Sequence, residues 1–573
     1  MTAIKGGNAK QALVREGESL LDTVRDMGLS VRALCGSRGI CGSCRVRVLE
    51  GELTASAADI AFFSAKDIAA GWRLACVAYP KSEITVEIPD AGEDDITSVV
   101  EFAQEDRIDQ SQGVITVEQI EMVKSKDSVT TQMGGHGRLH LAGLQEAGRA
   151  AAAGRAFHVV RYGGKPVRVA AQREEYYAIG VDIGTTTIGF ALVDLRTASM
   201  AGRLSIVNKQ REYGADVVTR IVKAKGGDLA LLSKIVRAQL AEGIGALCRD
   251  YGVKPENVLK VAIAGNTTML HLLLELCCDM LGHFPFTPVT LEHLSIPYGA
   301  LFDGGLSCDV DILPGISTYV GADITAGLLH LMLHKNKRPS ILLDIGTNGE
   351  MALAGDGRIL CTSTAAGPAL EGVNIVWGTG SVPGAISSVA YGDGCFQVTT
   401  IGGQTPVGIC GSGIIDTVYQ FLRHGIIDET GRLQGEWVSD TGVVVAKTVS
   451  GEDIYISQKD IREIQLAKSA IRAGIEILIK HAGLAYGDIE TLHVAGGFGY
   501  NIDFQSGVGI GLVPAELGSK IKLAGNSSLG GVVSYLINPD QEEAMHEITS
   551  LSSEFSLSED DSFQDLFVEY MSF

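Results

Sequence analysis

Proline is scarce, with 14 residues in 573, and tryptophan scarcer, with three. Set against 71 glycines, about 12% where ~7% is usual, this scarcity excludes collagen-like and Pro/Gly low-complexity chains. It points instead to tight turns and close main-chain approaches. Basic residues are outnumbered, 47 Lys and Arg against 68 Asp and Glu for a formal charge of −21, so nucleic acid is not expected as a partner. Long apolar runs are missing as well. The most apolar stretch, Met269 to Phe286, is broken by His271, Glu275, Asp279 and His283, so no spanning helix is expected. No charged n-region followed by an apolar h-region opens the chain, and the location expected is cytoplasmic. The commonest phosphate fingerprints are absent too. Gly-Lys occurs only at Gly164-Lys165, before a proline, which excludes a P-loop, and no Gly-x-Gly is followed by a third glycine at the dinucleotide spacing.

The length exceeds what one hydrophobic core supports, so several domains are expected. Residues 12–28 place Leu20, Leu21, Val24 and Met27 on one helical face ending at Gly28, and the segments at 44–53 and 83–90 alternate as half-buried strands. A small α+β module therefore occupies residues 1–95. The acidic stretch 96–112 reads as a linker, and 113–175 as a small middle domain, a solvated helix followed by a strand pair. From 176 to 573 strands and helices alternate, which argues for α/β architecture, with helices expected at 227–251 and 267–281. One internal repeat stands out. Val181–Leu195 matches Leu342–Gly357, aligning Asp182-Ile-Gly-Thr185 with Asp344-Ile-Gly-Thr347 at an offset of 162 residues. A duplicated pair of lobes, about 176–340 and 341–540 with a tail at 541–573, accounts for it.

Four of the eleven cysteines lie before residue 80, at Cys35, Cys41, Cys44 and Cys76; the other seven run from Cys248 to Cys410. Three ligands on one glycine-punctuated loop and a distant fourth form the pattern that ligates a [2Fe-2S] cluster, here with five residues in the first gap where plant ferredoxins have four. Gly36, Gly39 and Gly42 let that loop curl its N–H groups toward the sulfides. A four-cysteine zinc site is the rival, but zinc ribbons pair two Cys-x2-Cys knuckles and the fourth cysteine here stands alone. These residues resemble [2Fe-2S] ferredoxin domains, which implies a β-grasp fold. The later seven lack ligand spacing and read as core residues, with Cys277 and Cys278 on different sides of a helix.

Each Asp-Ile-Gly-Thr motif is an apolar strand ending in aspartate, a turn, and a second strand. Asp182 and Asp344 can hold Mg2+, usually through water, while the turns at Gly184 and Gly346 and the hydroxyls of Thr185, Thr186, Thr187 and Thr347 can bond phosphate oxygens. Two such turns face to face would clamp a polyphosphate. An aspartic protease also uses paired aspartates, yet those enzymes are all-β.

The motifs resemble the actin, sugar-kinase and heat-shock ATPase superfamily. That resemblance implies a two-lobed, duplicated RNase H-like fold with nucleotide contacts at Gly265, Asn266 and Thr267, at Asn348, at Gly411 and Ser412, and an adenosine-packing turn at Gly496, Gly497 and Phe498. Glu371 and Asp416 are acids able to position water, with Glu371 grouped with Asp182 and Asp344 as catalytic. Joined to a ferredoxin-like module, and with "PGISTYVGADITAGLL" and "STAAGPALEGVNI", the whole chain resembles the reductive activators of corrinoid-dependent methyltransferases. The resemblance implies ATP, Mg2+ and a [2Fe-2S] cluster as cofactors, reduction of Co(II) to Co(I) in a corrinoid protein partner, an electron donor and a homodimer. Some relatives carry cysteine-rich clusters at the C-terminus, whereas no cysteine follows Cys410 here. An activator of 2-hydroxyacyl-CoA dehydratases, a redox-sensing nucleotide-binding module and a sugar or acid kinase are the alternatives; the four early cysteines argue against the first and last.

Overall fold

The computed structural model describes residues 2–5, 8–12, 14, 18–27, 44–63, 65–80, 82–88, 114–121, 127–134, 139, 141–214, 216–392, 394–496, 503–538 and 540–573. Cys35, Cys41, the linker 96–112, Gly497 and Phe498 lie outside the described residues. The chain divides into two compact units, Met1–Thr97 with Lys209–Arg220, and Ser98–Asn208 with Ile221–Phe573.

The first unit holds β1 (Thr2–Lys5), β2 (Asn8–Gln11), α1 (Leu20–Asp26), β3 (Arg45–Glu50), α2 (Ala57–Phe62), α3 (Ala65–Ala69), β4 (Trp72–Leu74) and β5 (Thr85–Glu87). Its sheet runs β2-β1-β5-β3-β4, with β1 and β5 parallel. Alternation along β3 and β5 sends Val46 and Val86 inward to meet Leu20, Leu21 and Val24 of α1. The helix begins at Leu20, later than residue 12, because β2 runs to Gln11 and Ser19 Oγ accepts from Asp22 N. At the start of α2, Ser56 and Asp59 form a capping box. Asp59 then reaches further and accepts from Leu74 N at 2.7 Å, tying the helix to β4.

In the second unit, β6 (Ile115–Ile120), α4 (Val129–Gln132), α5 (Leu141–Ala152), β7 (Phe157–Tyr162) and β8 (Lys165–Ala170) form a three-stranded antiparallel sheet backed by helix, with a core of Met133, Ala147, Phe157 and Val159. The first lobe follows as β9 (Tyr177–Ile183), β10 (Thr187–Asp194), β11 (Ser199–Val207), α6 (Val217–Lys223, counted with the first unit as far as Arg220), α7 (Leu229–Asp250), β12 (Val258–Gly265), α8 (Thr267–Leu274), β13 (Leu294–Pro297), α9 (Tyr298–Leu301), β14 (Asp309–Ile312) and α10 (Ala322–His330). The second lobe begins with β15 (Ser340–Ile345), β16 (Gly349–Gly355) and β17 (Arg358–Thr364). It continues through β18 (Ala385–Gly392), β19 (Cys395–Thr400), β20 (Gly408–Ile409), α11 (Gly411–Arg423), β21 (Val443–Lys447), β22 (Asp453–Ile456) and α12 (Gln458–His481). It closes with β23 (Thr491–Ala495), α13 (Phe504–Gly509), β24 (Ile521–Gly525), α14 (Ser527–Ile537), α15 (Gln541–Leu551), β25 (Ser552–Glu554) and α16 (Phe563–Glu569).

The two six-stranded sheets trace one path twice. One runs β11-β10-β9-β12-β14-β13, the other β17-β16-β15-β23-β24 with β25 beside β17. In each, an antiparallel meander carries the Asp-Ile-Gly-Thr turn between its first two strands, and parallel strands extend from its first strand. The central strands β9 and β15 are apolar nearly throughout because both faces are covered by helices. The tail is integrated rather than loose. Buried Lys468 of α12 donates to the carbonyls of Tyr570 at 2.7 Å and Ser572 at 2.5 Å, and lies over the Phe573 ring.

Two readings of the sequence need correction. Helix α8 ends at Leu274, not 281, because Glu275 adopts a left-handed conformation (φ 58°) and Leu276 N bonds His271 O, closing the helix without a glycine. Cys277 and Cys278 thus follow the helix. Of the seven later cysteines Cys277 and Cys395 are exposed: one follows this helix end, the other sits at the β18–β19 hairpin turn with its Sγ toward Gly392 O. The remaining five are buried.

Candidate functional site

The first turn is built by partners far away in sequence. Asn208 donates from Nδ2 to Gly184 O at 2.9 Å, and its N–H bonds Thr186 O, which pins the loop carrying Thr185 and Thr186 into β10 at Thr187. Asn266 caps α8 by accepting from Met269 N at 3.0 Å and reaches across to Thr185 Oγ1 at 3.0 Å. Gly265 ends β12 beside it, and Thr267 spends its hydroxyl on Ser317 O at 2.6 Å. Asn266 is thus at once the cap of α8 and a hydrogen-bond partner of the first turn. Asp182 receives Asn526 Nδ2 at 3.0 Å on one oxygen and Ser528 Oγ at 2.7 Å on the other, both from the start of α14. Burial raises its pKa while these two bonds lower it.

The second turn has a different environment. Gly346 N bonds Asn348 O at 2.8 Å, closing the turn, and Thr347 Oγ1 donates to Glu371 at 2.6 Å, so the hydroxyl and the acid act as a unit. Glu350 stands directly opposite Asp344 in the β15–β16 register. Burial, then the charges of Asp323, Asp182 and Glu371, pushes Asp344 up to about 8. Burial and the Asp182 charge raise Asp323, the second residue of α10, and burial with Asp323 and Asp344 raises Glu350 well above the carboxylate range. Both DIGT aspartates thus share one electrostatic field with two acids the sequence did not single out. Among the described residues no three His, Cys, Asp or Glu side chains converge as direct ligands of one ion. The acids fit a cation held through water, since repulsion within the set is relieved by positive charge.

Gly496 lies against Asp344. A Cβ there would fall 2.2 Å from Ile345 O and 3.1 Å from Asp344 Oδ1, and its φ is 114°, so glycine is required. Gly411 and Ser412 open α11, where both are buried and Ser412 Oγ donates to Ser387 O at 2.9 Å. Asp416 sits one turn further along α11 and accepts from Val389 N, with Ser388 and Ser506 also bonded to it. It is held in the β18–α11–α13 packing and has no bond to the two turns. Asn526 and Ser528 were missed by sequence reading, although a signal existed: Gly525-Asn-Ser-Ser528 echoes Gly265-Asn-Thr-Thr268, and both asparagines cap a helix while bonding the first turn.

In the first unit, Ala75 N bonds Cys44 O at 2.9 Å, which brings two of the four cysteines together. Cys44 and Cys76 are buried, neither forms a disulfide, and their Sγ atoms are 3.2 Å apart. That is well beyond a disulfide bond of ~2.05 Å and close enough for both sulfurs to reach one metal at ~2.3 Å. The donor chemistry fits an iron-sulfur cluster.

Three family models match the chain. The family described as "2Fe-2S iron-sulfur cluster binding domain" matches residues 4–81, "RACo middle region" residues 177–336, and "C-terminal domain of RACo the ASKHA domain" residues 338–573. The corrinoid activation enzyme RamQ of Eubacterium limosum is 32% identical over 417 residues, 68% of this chain and 69% of the relative. A reductase of methylated amine-specific Co(II) corrinoid protein from Methanosarcina barkeri is 27% identical, over 62% of this chain and 68% of its own. The solved structure of a reductive activator for a corrinoid, iron-sulfur protein superposes with TM-score 0.74 at 29% identity, covering all of this chain and 98% of the other. The fold is thus a ferredoxin-type domain joined to an actin/sugar-kinase-like ATPase domain. The chain belongs to the family of corrinoid activation enzymes.

Proposed function

We propose that the chain reduces the inactive Co(II) state of a protein-bound cobamide to Co(I), with electrons passing through a [2Fe-2S] cluster held by Cys35, Cys41, Cys44 and Cys76 and with ATP consumed at the paired turns. The observation that carries this reading is the presence, in one chain, of two buried thiols at 3.2 Å and two acid-bearing phosphate turns sharing one field. The names of the relatives support the corrinoid partner. Asp182 and Asp344 hold Mg2+ through water; Gly184, Thr185, Thr186, Thr187, Gly265, Asn266, Thr267, Gly346, Thr347 and Asn348 surround the phosphates. Gly411, Ser412, Gly496, Gly497 and Phe498 receive the nucleoside, and Glu371, aimed by Thr347, orients the attacking water.

The energetics suit such a pairing. Plant-type clusters sit near −400 mV, Co(I) is a stronger reductant, and each ~100 mV uphill costs about 2.3 kcal/mol per electron. Closure of the lobes on nucleotide favours the complex in which cobalt accepts the electron, a population shift driven by differential binding. The protein works in the cytoplasm as a homodimer with a separate electron donor. Anoxic spectra of a corrinoid protein mixed with the reduced chain test the reading: Co(I) is expected with ATP and Mg2+, and equal Co(I) without ATP overturns it.

A further inference from the structure

Past the end of α8 the chain forms a loop, residues 275–291, that carries Phe284, 78% exposed and the most exposed aromatic ring among the described residues. The same loop exposes Met280 (49%) and Val289 (58%), and the neighbouring loop exposes Tyr319 (37%). The rings form a line, Phe284 to Phe286 at 6.1 Å and Phe286 to Tyr319 at 5.3 Å. Summed over the loop and its neighbour, these side chains expose on the order of 400 Å2 of apolar surface, within the range that on monomeric proteins is often functional.

This surface is held rigidly. Phe286 sits at φ 57°, backbone that a bulky residue adopts only under constraint, with its N–H on His283 O at 2.7 Å and its carbonyl accepting from Thr318 Oγ1. Both anchors of the loop lead to α8. His271 is buried there with Nδ1 2.8 Å from Thr267 O and Nε2 accepting from Val289 N at 2.9 Å, which uses the neutral ring as one donor and one acceptor. Thr267 bonds Ser317 O, and Ser317 Oγ in turn caps Tyr319 N and Val320 N. Asn266, one residue before, holds Thr185 of the first turn. Hydrogen bonds, relayed through the adjacent pairs Ser317-Thr318 and Asn266-Thr267, therefore connect the backbone that carries these rings to the phosphate turn.

We infer that this aromatic knob is the surface on which the first lobe receives the corrinoid-carrying partner protein, its position set by occupancy of the first turn. The inference rests on the proposed function. Its size selects the occupant: ~400 Å2 is about half of what each side of a stable dimer buries, whereas weak electron-transfer encounters lie at the small end of the range. A partner that comes and goes with nucleotide also needs a surface whose affinity differs between the two states, which the link through α8 supplies.

The test uses the full reconstituted chain and a purified Co(II) corrinoid protein that the wild type reduces. Phe284→Ser is expected to raise KM for that protein at least tenfold, with partner-free ATP hydrolysis and the mass by light scattering unchanged. An unchanged KM overturns the inference, as does a fall in mass, which makes the patch a self-interface. Hydrogen exchange reads the coupling: a non-hydrolysable ATP analogue is expected to slow amides 280–290 at least threefold in the wild type and not in Thr318→Val, and equal slowing in both overturns the link. If the wild type reduces no corrinoid protein, the proposed function itself falls and takes this occupant with it.

Discussion

The two lobes carry the same hairpin and the same four-residue turn, yet their aspartates live in different surroundings. Opposite Asp182 the register places Gly189, and opposite Asp344 it places Glu350. The glycine leaves room that α14 fills: a Cβ on Gly189 would come within 3.3 Å of Leu529 and 3.6 Å of Asn526 Nδ2. Helix α14 can therefore seat Asn526 and Ser528 on the Asp182 carboxylate. In the second lobe a second acid occupies the equivalent place, and Asp344 is left in a field of carboxylates. Duplication supplied two identical turns; the carboxylate of one is now hydrogen-bonded by α14, and that of the other faces further acids.

The sharpest way to break this contrast is substitution of the aspartates. Asp344→Asn and Asp182→Asn should each lower ATP hydrolysis by at least ~100-fold, as expected for groups that organise charge at a phosphate. Their stabilities should move oppositely. Asp182→Asn keeps only one of the two acceptor oxygens that Asn526 and Ser528 address and should cost about 1–2 kcal/mol in denaturant unfolding, whereas Asp344→Asn removes repulsion and should be neutral or stabilising.

Proton linkage gives the next largest effect. A carboxyl whose folded pKa is raised binds more protons folded than unfolded, so its stabilisation is full below the unfolded value near 4 and is lost as pH rises through the folded one. For Asp344, at about 8, the apo chain should lose Tm steadily between pH 5 and pH 8.5, by a few degrees. Saturating Mg2+ with ATP should flatten that slope, because the cation replaces the protons. Glu350→Gln should flatten it in part without ligand, checked by thermal unfolding across the same range. Smallest are the caps. Asn266→Ala and Asn526→Ala should each cost about 1 kcal/mol as helix N-caps, with Asn526→Ala the larger because it also releases Asp182.

Much of this is legible in the amino-acid sequence alone. The alternation of strands and helices, the 162-residue repeat and α7 at 229–250 followed from hydrophobic period and turn residues, which act locally. Helix α8 was read too long because nothing in "LLLELCCDM" resembles a stop: the left-handed residue that ends it is a glutamate. Asp323 and Glu350 are invisible as site residues because each is a single acid within a buried, mostly apolar element, and the acids it faces come from other strands and helices. Asn526 and Ser528 lie 344 and 346 residues from the aspartate they hold.

Local spacing fixed what kinds of chemistry the chain can hold, four thiolates at cluster intervals and two aspartate turns, because ligand type and turn geometry are written within a few residues. Which aspartate is hydrogen-bonded by a helix start, which acids gather around the other, and which loop is bonded to the phosphate turn were decided only when distant strands and helix ends met. Electrostatic and hydrogen-bond energies depend on distances through space, and those distances are set by the packing of the two sheets and their crossing helices.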